Sequence, residues 1–147
     1  MMERQRLEYD VAVRWAGEKH AAVVAAELPE IRVALPAELS GPAEGWTPEH
    51  LFVASAASCL LTVFLNVAAA ARLHFVDLTV QGRGILEELA TEGLIISTLE
   101  LRPLLTLEVE ADRERAARLL SKAERHCVVS NSMRTRIVVR PLIRVAS

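Results

Sequence analysis

The 147-residue sequence predicts an α+β domain in the order β3-α-β2-α-β, built around a long buried central helix. Three observations carry that expectation. Apolar and polar residues alternate from Arg6 to Ala16, the period of two that marks a half-buried strand, and strand-like runs recur in the middle and at the end of the chain. Between the first strands and the middle ones lies a run from Leu51 to Ala71 with no charged residue. A later segment repeats its apolar positions Ala116, Leu119, Leu120 and Ala123 at intervals of three and four, the helical stripe. No repeat, linker or shift in composition divides the chain, so residues 1–147 read as a single domain of ordinary size.

The elements follow in order. From Arg6 to Ala16, Leu7, Tyr9, Val11, Val13 and Trp15 point one way while Glu8, Asp10 and Arg14 point the other, a half-buried strand. Gly17-Glu18-Lys19 turns into a second strand over His20–Leu28, and Ile31–Leu35 forms a short third. Pro36 to Trp46 holds Pro36, Gly41, Pro42 and Gly45 and reads as a loop. The long helix then opens on Thr47 as N-cap, with Pro48 at its first position and Glu49 complementing the positive end of the dipole; it runs to about Leu73. Val76–Glu88 and Leu94–Glu110 are two long strands joined around Thr91-Glu92-Gly93. Pro103 inside the second implies an edge strand, a bulge or two shorter strands, and Gly82-Arg83-Gly84 implies a bulge in the first. Asp112 is the expected N-cap of the second helix, which ends near His126, and Met133–Val145 closes the chain as a strand.

Composition narrows the function. Hydrophobic residues make up 52% of the chain, aromatic residues only 4%, and the net charge is −2, which excludes a disordered chain and gives no electrostatic footprint for nucleic acid. The N-terminus runs into polar sequence without the apolar core of a secretory signal, so the cytoplasm is the expected compartment. The Leu51–Ala71 run is long enough for a membrane span, but Ser55, Ser58, Thr62 and Asn66 line one of its faces and no other span accompanies it, so burial in protein is expected. Apolar residues nearly all round this helix call for cover on several sides, which a homodimer with partner strands wrapped round it would supply.

Two cysteines are too few for a disulfide scaffold or a Cys₄ metal site. Cys59 sits in mid-helix beside the hydroxyl stripe, and Cys127 continues the apolar series of the second helix, so both aim at one core. Each alone fits plain packing; a meeting pair could cycle between dithiol and disulfide. A reactive thiolate needs a helix N-terminus or a nearby cation, and neither cysteine gains from its own helix. Arg14, Arg134 and Arg136 are the candidate cations. Glu49 alone reads as a first-turn carboxylate. His20, His50, His74 and His126 show no ligand spacing, and no oriented histidine supports a Cys–His hydrolase. Neither a metal nor another cofactor is expected.

Two segments add a resemblance. Thr47-Pro48-Glu49-His50-Leu51-Phe52 through Ala56-Ala57-Ser58-Cys59 resembles the signature of the OsmC/Ohr family of osmotically inducible and organic-hydroperoxide-resistance proteins, with Pro-Glu-x-Leu ahead of a cysteine inside a long central helix. Cys127-Val128-Val129-Ser130-Asn131, ending an Ala- and Glu-rich helix, is similar to that family's Cys-Pro-x-Ser-Asn element. The resemblance covers nearly the whole chain. It implies an intertwined homodimer with sites at the subunit interface, in which Cys59 is the peroxidatic cysteine, Cys127 the resolving cysteine and Glu49 the carboxylate that orients an active-site arginine. Organic hydroperoxides would be the substrates, and a lipoyl-bearing protein or small dithiol the reductant. Two departures stand out: Val128 replaces the family proline, and Arg14 does not clearly occupy the family arginine's position. Against this reading stands a non-enzymatic OsmC-like dimer that binds a small apolar ligand, its cysteines serving only to pack.

Overall fold

The structure is a computed structural model that describes residues 5–42 and 44–147. Its backbone divides into two compact units, Met1–Leu51 and Phe52–Ser147.

The first unit is an antiparallel sheet of β1 (Ala12–Trp15), β2 (His20–Val24) and β3 (Ile31–Ala34), with β2 in the middle. The expected turn joins β1 to β2. Gly17 and Glu18 both take positive φ, 101° and 47°, and the His20 amide donates to the Gly17 carbonyl at 2.9 Å. β1 is shorter than its alternation suggests. Its ladder ends at the pair Ala12↔Val24, because the chain leaves β2 there and turns back through Glu27, whose φ is 63°. Among the described residues, no strand therefore pairs with residues 6–11. Leu7, Tyr9, Val11, Val13 and Trp15 are all exposed, between 61% and 86%, instead of half-buried. The second and third strands are likewise trimmed, and the loop that follows folds back so that the Ala34 amide donates to the Trp46 carbonyl at 2.9 Å.

Helix α1 (Pro48–Ala70) opens as expected. Thr47 Oγ1 accepts from the His50 amide at 3.1 Å, and His50 Nδ1 accepts from the Thr47 amide at 3.2 Å. This is a reciprocal capping box with histidine in the place usually held by Glu or Gln. The helix ends at Ala70, three residues earlier than expected, because Arg72 turns left-handed at φ 54°. The Leu73 amide then reaches the Ala68 carbonyl at 2.9 Å and the Arg72 amide reaches Ala69 at 3.2 Å, the paired bonds of a Schellman stop. Arg115, held by Asp112 at 3.2 Å, donates to the Ala71 carbonyl at 2.7 Å and places a cation at the negative end of the dipole. By length and composition α1 could cross a membrane; in this fold its Ala56, Leu60, Phe64 and Ala68 stripe forms part of the core.

The second unit is built on β4 (Phe75–Leu89) and β5 (Gly93–Leu107), a long antiparallel hairpin. β6 (Arg136–Val139) and β7 (Leu142–Val145) both run parallel to β5 on its other side. The closing strand is thus two pieces in line, broken at Arg140-Pro141. Pro103 corrects the expectation of an edge or divided strand. β5 is continuous and central, bulged at Ser97 and not at its proline, and Pro103 lies opposite the interval between β6 and β7. Gly82-Arg83-Gly84 is not a bulge either: these residues pair in register with Leu101, Glu100 and Leu99, and the register shifts fall at Phe75/Asp77 and Ile85/Leu86.

Helix α2 (Arg113–Arg125) follows a short 3₁₀ turn. Asp112 precedes it but makes no capping bond, since its carboxylate is engaged by Arg115. Ala116, Leu120 and Ala123 are buried, and the same face continues to Cys127. A four-residue helix α3 (Val128–Asn131) then leads to β6, an element absent from the expected order. The core of this unit joins the α1 stripe, Leu99, Leu101, Leu105 and Leu107 of β5, and the α2 face.

Candidate functional site

The two cysteines meet at the rim of this core. Both are free thiols; Cys127 is 1% exposed and Cys59 is half-buried. Cys59 is placed by mid-α1, one residue from Ser58. The neighbouring hydroxyls serve the helix itself: Ser55 donates to the Phe52 carbonyl at 2.8 Å, Ser58 to Ser55 at 3.2 Å, and Thr62 to Ser58 at 2.9 Å. The polar stripe thus returns its protons to carbonyls one turn back.

Cys127 stands at a junction. Its amide donates to the Glu124 carbonyl at the end of α2 (3.3 Å), and its carbonyl accepts from the Asn131 amide in the first turn of α3 (2.9 Å). Asn131 Nδ2 reaches back to the Arg125 carbonyl at 3.1 Å and ties the two helices together. The sequence stripe placed Cys127 only at the negative end of α2; the backbone adds α3 behind it, with Cys127 extended at φ −71° and ψ 101° as its N-cap.

Burial first, and then the Cys59 sulfur beside it, push the Cys127 thiol up to about 12. Glu124 adds a smaller push the same way, while the Ser130 hydroxyl works in the opposite direction. Among the described residues, no cation is one of the groups acting on this thiol. Of the three candidate arginines, Arg14 pairs with Glu30 at 2.6 Å on the surface of the first unit, and Arg134 and Arg136 are exposed.

Glu49 lies in the first turn of α1, ten residues before Cys59, which at the helical rise is an axial distance of about 15 Å. The fold therefore brings Cys59 and Cys127 together but leaves Glu49 far along the helix. Among the described residues its Oε2 is buried without a hydrogen-bond partner, an oxygen that calls for a donor. In the first unit His50 serves the α1 cap, and His20 sits 3.9 Å from Glu44 beside a shallow concavity shared with Arg32 and Val33.

Sequence reasoning gave no role to Ser130. Its Oγ is buried with no hydrogen-bond partner among the described residues, and its hydroxyl offsets part of the rise in the Cys127 thiol. The available signal was its spacing, three residues past Cys127 on a turn of helix.

The profile of the family described as OsmC-like protein matches residues 41–141. The uncharacterized protein YmaD of Bacillus subtilis is 27% identical over 105 residues, 69% of either chain. Among solved structures, an OsmC-like protein of unknown function from Vibrio cholerae superimposes with a TM-score of 0.85 at 19% identity, covering 93% of this chain and all of its own. An organic hydroperoxide resistance protein from Elizabethkingia anophelis gives 0.74 at 22% identity over 97% of this chain and all of its own. A third, the organic hydroperoxide resistance protein OsmC from Legionella pneumophila, gives 0.70 at 23% identity over 95% and 100%. At these identities the solved structures establish the shared fold.

Proposed function

The chain belongs to the OsmC-like protein family, and on that premise we propose that it is a cytoplasmic, thiol-dependent reductase of organic hydroperoxides. The observation that carries the reading is the contact between two free thiols, one half-exposed and one buried, at the rim of a single core.

The Cys59 thiolate attacks the terminal oxygen of the hydroperoxide, the O–O bond breaks, the alcohol leaves, and Cys59 becomes a sulfenic acid. Cys127 then closes a disulfide with it, and an external dithiol, lipoyl-bearing or small, restores both thiols. The unequal exposure suits these roles, because the attacking sulfur must be reached by substrate and the resolving sulfur need only reach its neighbour. Burial holds Cys127 protonated, which leaves Cys59 to react first.

The working form is a homodimer. An exposed stripe of Leu7, Tyr9, Val11, Val13 and Trp15, and exposed apolar positions on α1 such as Leu65, supply apolar surface of the kind a partner covers. The Glu49 carboxylate, orphaned at Oε2, then orients an arginine that reaches a cysteine across the interface. A second reading, a non-enzymatic dimer with packing cysteines, draws on the elevated Cys127 thiol and on Val128 standing in place of the family proline.

Single-turnover thiol counting separates the two. Cumene hydroperoxide added to reduced protein removes two thiols from the native chain and none from Cys59→Ser. Survival of both thiols in the native chain selects the non-enzymatic reading.

A further inference from the structure

Disulfide closure requires Cys127 to act as a thiolate, although it is 1% exposed and beside a second sulfur. Something must favour that thiolate when the Cys59 sulfenic acid is waiting. Ser130 is built for it. It lies three residues on in α3, one helical turn past Cys127, and its Oγ is sealed from solvent with no hydrogen-bond partner among the described residues. A buried hydroxyl left unbonded costs stability, so one kept there next to a reacting atom is available to bond the charge that develops on it. Backbone and side-chain ties, the Asn131 amide to the Cys127 carbonyl and Asn131 Nδ2 to the Arg125 carbonyl, fix this turn.

We propose that Ser130 donates a hydrogen bond to the Cys127 sulfur as that sulfur loses its proton and attacks, so that this hydroxyl sets the rate of disulfide closure. In the closing step the Cys127 sulfur forms a bond to the Cys59 sulfur and the S–O bond of the sulfenic acid breaks. The departing hydroxide takes up the proton released by Cys127 and leaves as water. Cys127 is oxidised and the Cys59 sulfenic acid, made beforehand by the organic hydroperoxide, is reduced to the disulfide level. Among the groups acting on Cys127 in the described residues, Ser130 is the one that favours its thiolate, and Glu124 and Cys59 oppose it.

The inference rests on the redox-pair reading, but thiol–disulfide exchange tests it without peroxide. Dithiobis(nitrobenzoate) forms a mixed disulfide at the accessible Cys59 and releases one thionitrobenzoate; Cys127 then displaces the second. In Ser130→Ala the first release keeps the native rate. The second slows about tenfold, the scale of a lost hydrogen bond to a charged group, and its pH profile moves upward. Ser130→Thr, which keeps the hydroxyl, restores the second phase, and Cys127→Ser stops after the first. If Ser130→Ala loses its circular-dichroism spectrum, Ser130→Gly is read in the same way. A second phase at the native rate in the hydroxyl-free variant, or an equal slowing of both phases, overturns the proposal. Failure of peroxide to consume thiols, alongside a slowed second phase, would instead overturn the peroxidase reading and leave Ser130 its role.

Discussion

A Cβ on Gly82 would stand 2.7 Å from Val53 Cγ1, and one on Gly84 would stand 2.8 Å from Val53 Cγ2. The two glycines of β4 therefore straddle a single valine of α1, and their lack of side chains lets the helix that carries Cys59 lie directly on the sheet. Val53 is β-branched on a helix and has little rotamer freedom with which to retreat. Gly82→Ala is expected to cost about 1–3 kcal/mol by overpacking. In a Val53→Ala background most of that cost should vanish. Urea unfolding of the four proteins in a double-mutant cycle measures the coupling, and strictly additive losses would show that the glycines answer to something else.

Arg72 stops α1 in a left-handed conformation at φ 54°. A Cβ is penalised there and glycine is not, so Arg72→Gly should stabilise the protein by roughly 0.5–1 kcal/mol. Arg115→Ala should act in the opposite direction, because it removes the donor to the Ala71 carbonyl from the other end of the same stop. Thermal denaturation of the two variants checks the opposed signs.

Val128 opens α3 and follows a Cys127 whose ψ is 101°, a conformation that a residue before proline readily holds. The first helical position needs no amide donor, so Val128→Pro fits without a lost bond. It should raise stability by about 0.4–1 kcal/mol through the unfolded chain and leave the Cys59–Cys127 contact in place. A drop in the denaturation midpoint, or slower exchange at Cys127, would mean that valine is needed where the related motif carries proline.

The elevated Cys127 thiol makes stability depend on pH in a definite direction. Its folded value near 12 lies above the ordinary 9.0, so the unfolded state gives up its proton first as pH rises. The native-state advantage is complete below about 9 and is lost progressively as pH climbs toward 12. Unfolding midpoints across that window should fall more steeply for the native chain than for Cys127→Ala. In Cys59→Ser, where the neighbouring sulfur is absent, alkylation of Cys127 should become faster at a given pH.

Much of the architecture was legible because local chemistry and global fold agree in it. Thr47-Pro48-Glu49 marks the start of α1, and the spacing Ala116, Leu120, Ala123, Cys127 aims α2 at the core that it joins. The failures have one cause, that a residue's meaning depends on what lies opposite it. Gly82 and Gly84 read as a bulge until Val53 is set against them. Pro103 reads as an edge until the gap between β6 and β7 is found beside it. Residues 7–11 carry the period of a strand, but β2 turns away at Val24 before it can pair them. At the site, spacing could direct Cys59 and Cys127 to one core. It could not show that Ser130 would be buried beside the second sulfur, or that Glu49 would keep an oxygen without a donor.

The proposed function makes Cys59 and Cys127 one redox pair. It is tested most directly by treating the reduced protein with one equivalent of tert-butyl hydroperoxide, blocking remaining thiols, and identifying the peptides by mass spectrometry. The expected product is a single cross-linked species that joins the Cys59 and Cys127 peptides through a disulfide. Cys127→Ser should instead yield a trappable sulfenic acid at Cys59. Recovery of both cysteines in the blocked, reduced form, or the same oxidation in Cys59→Ser as in the native chain, would contradict it.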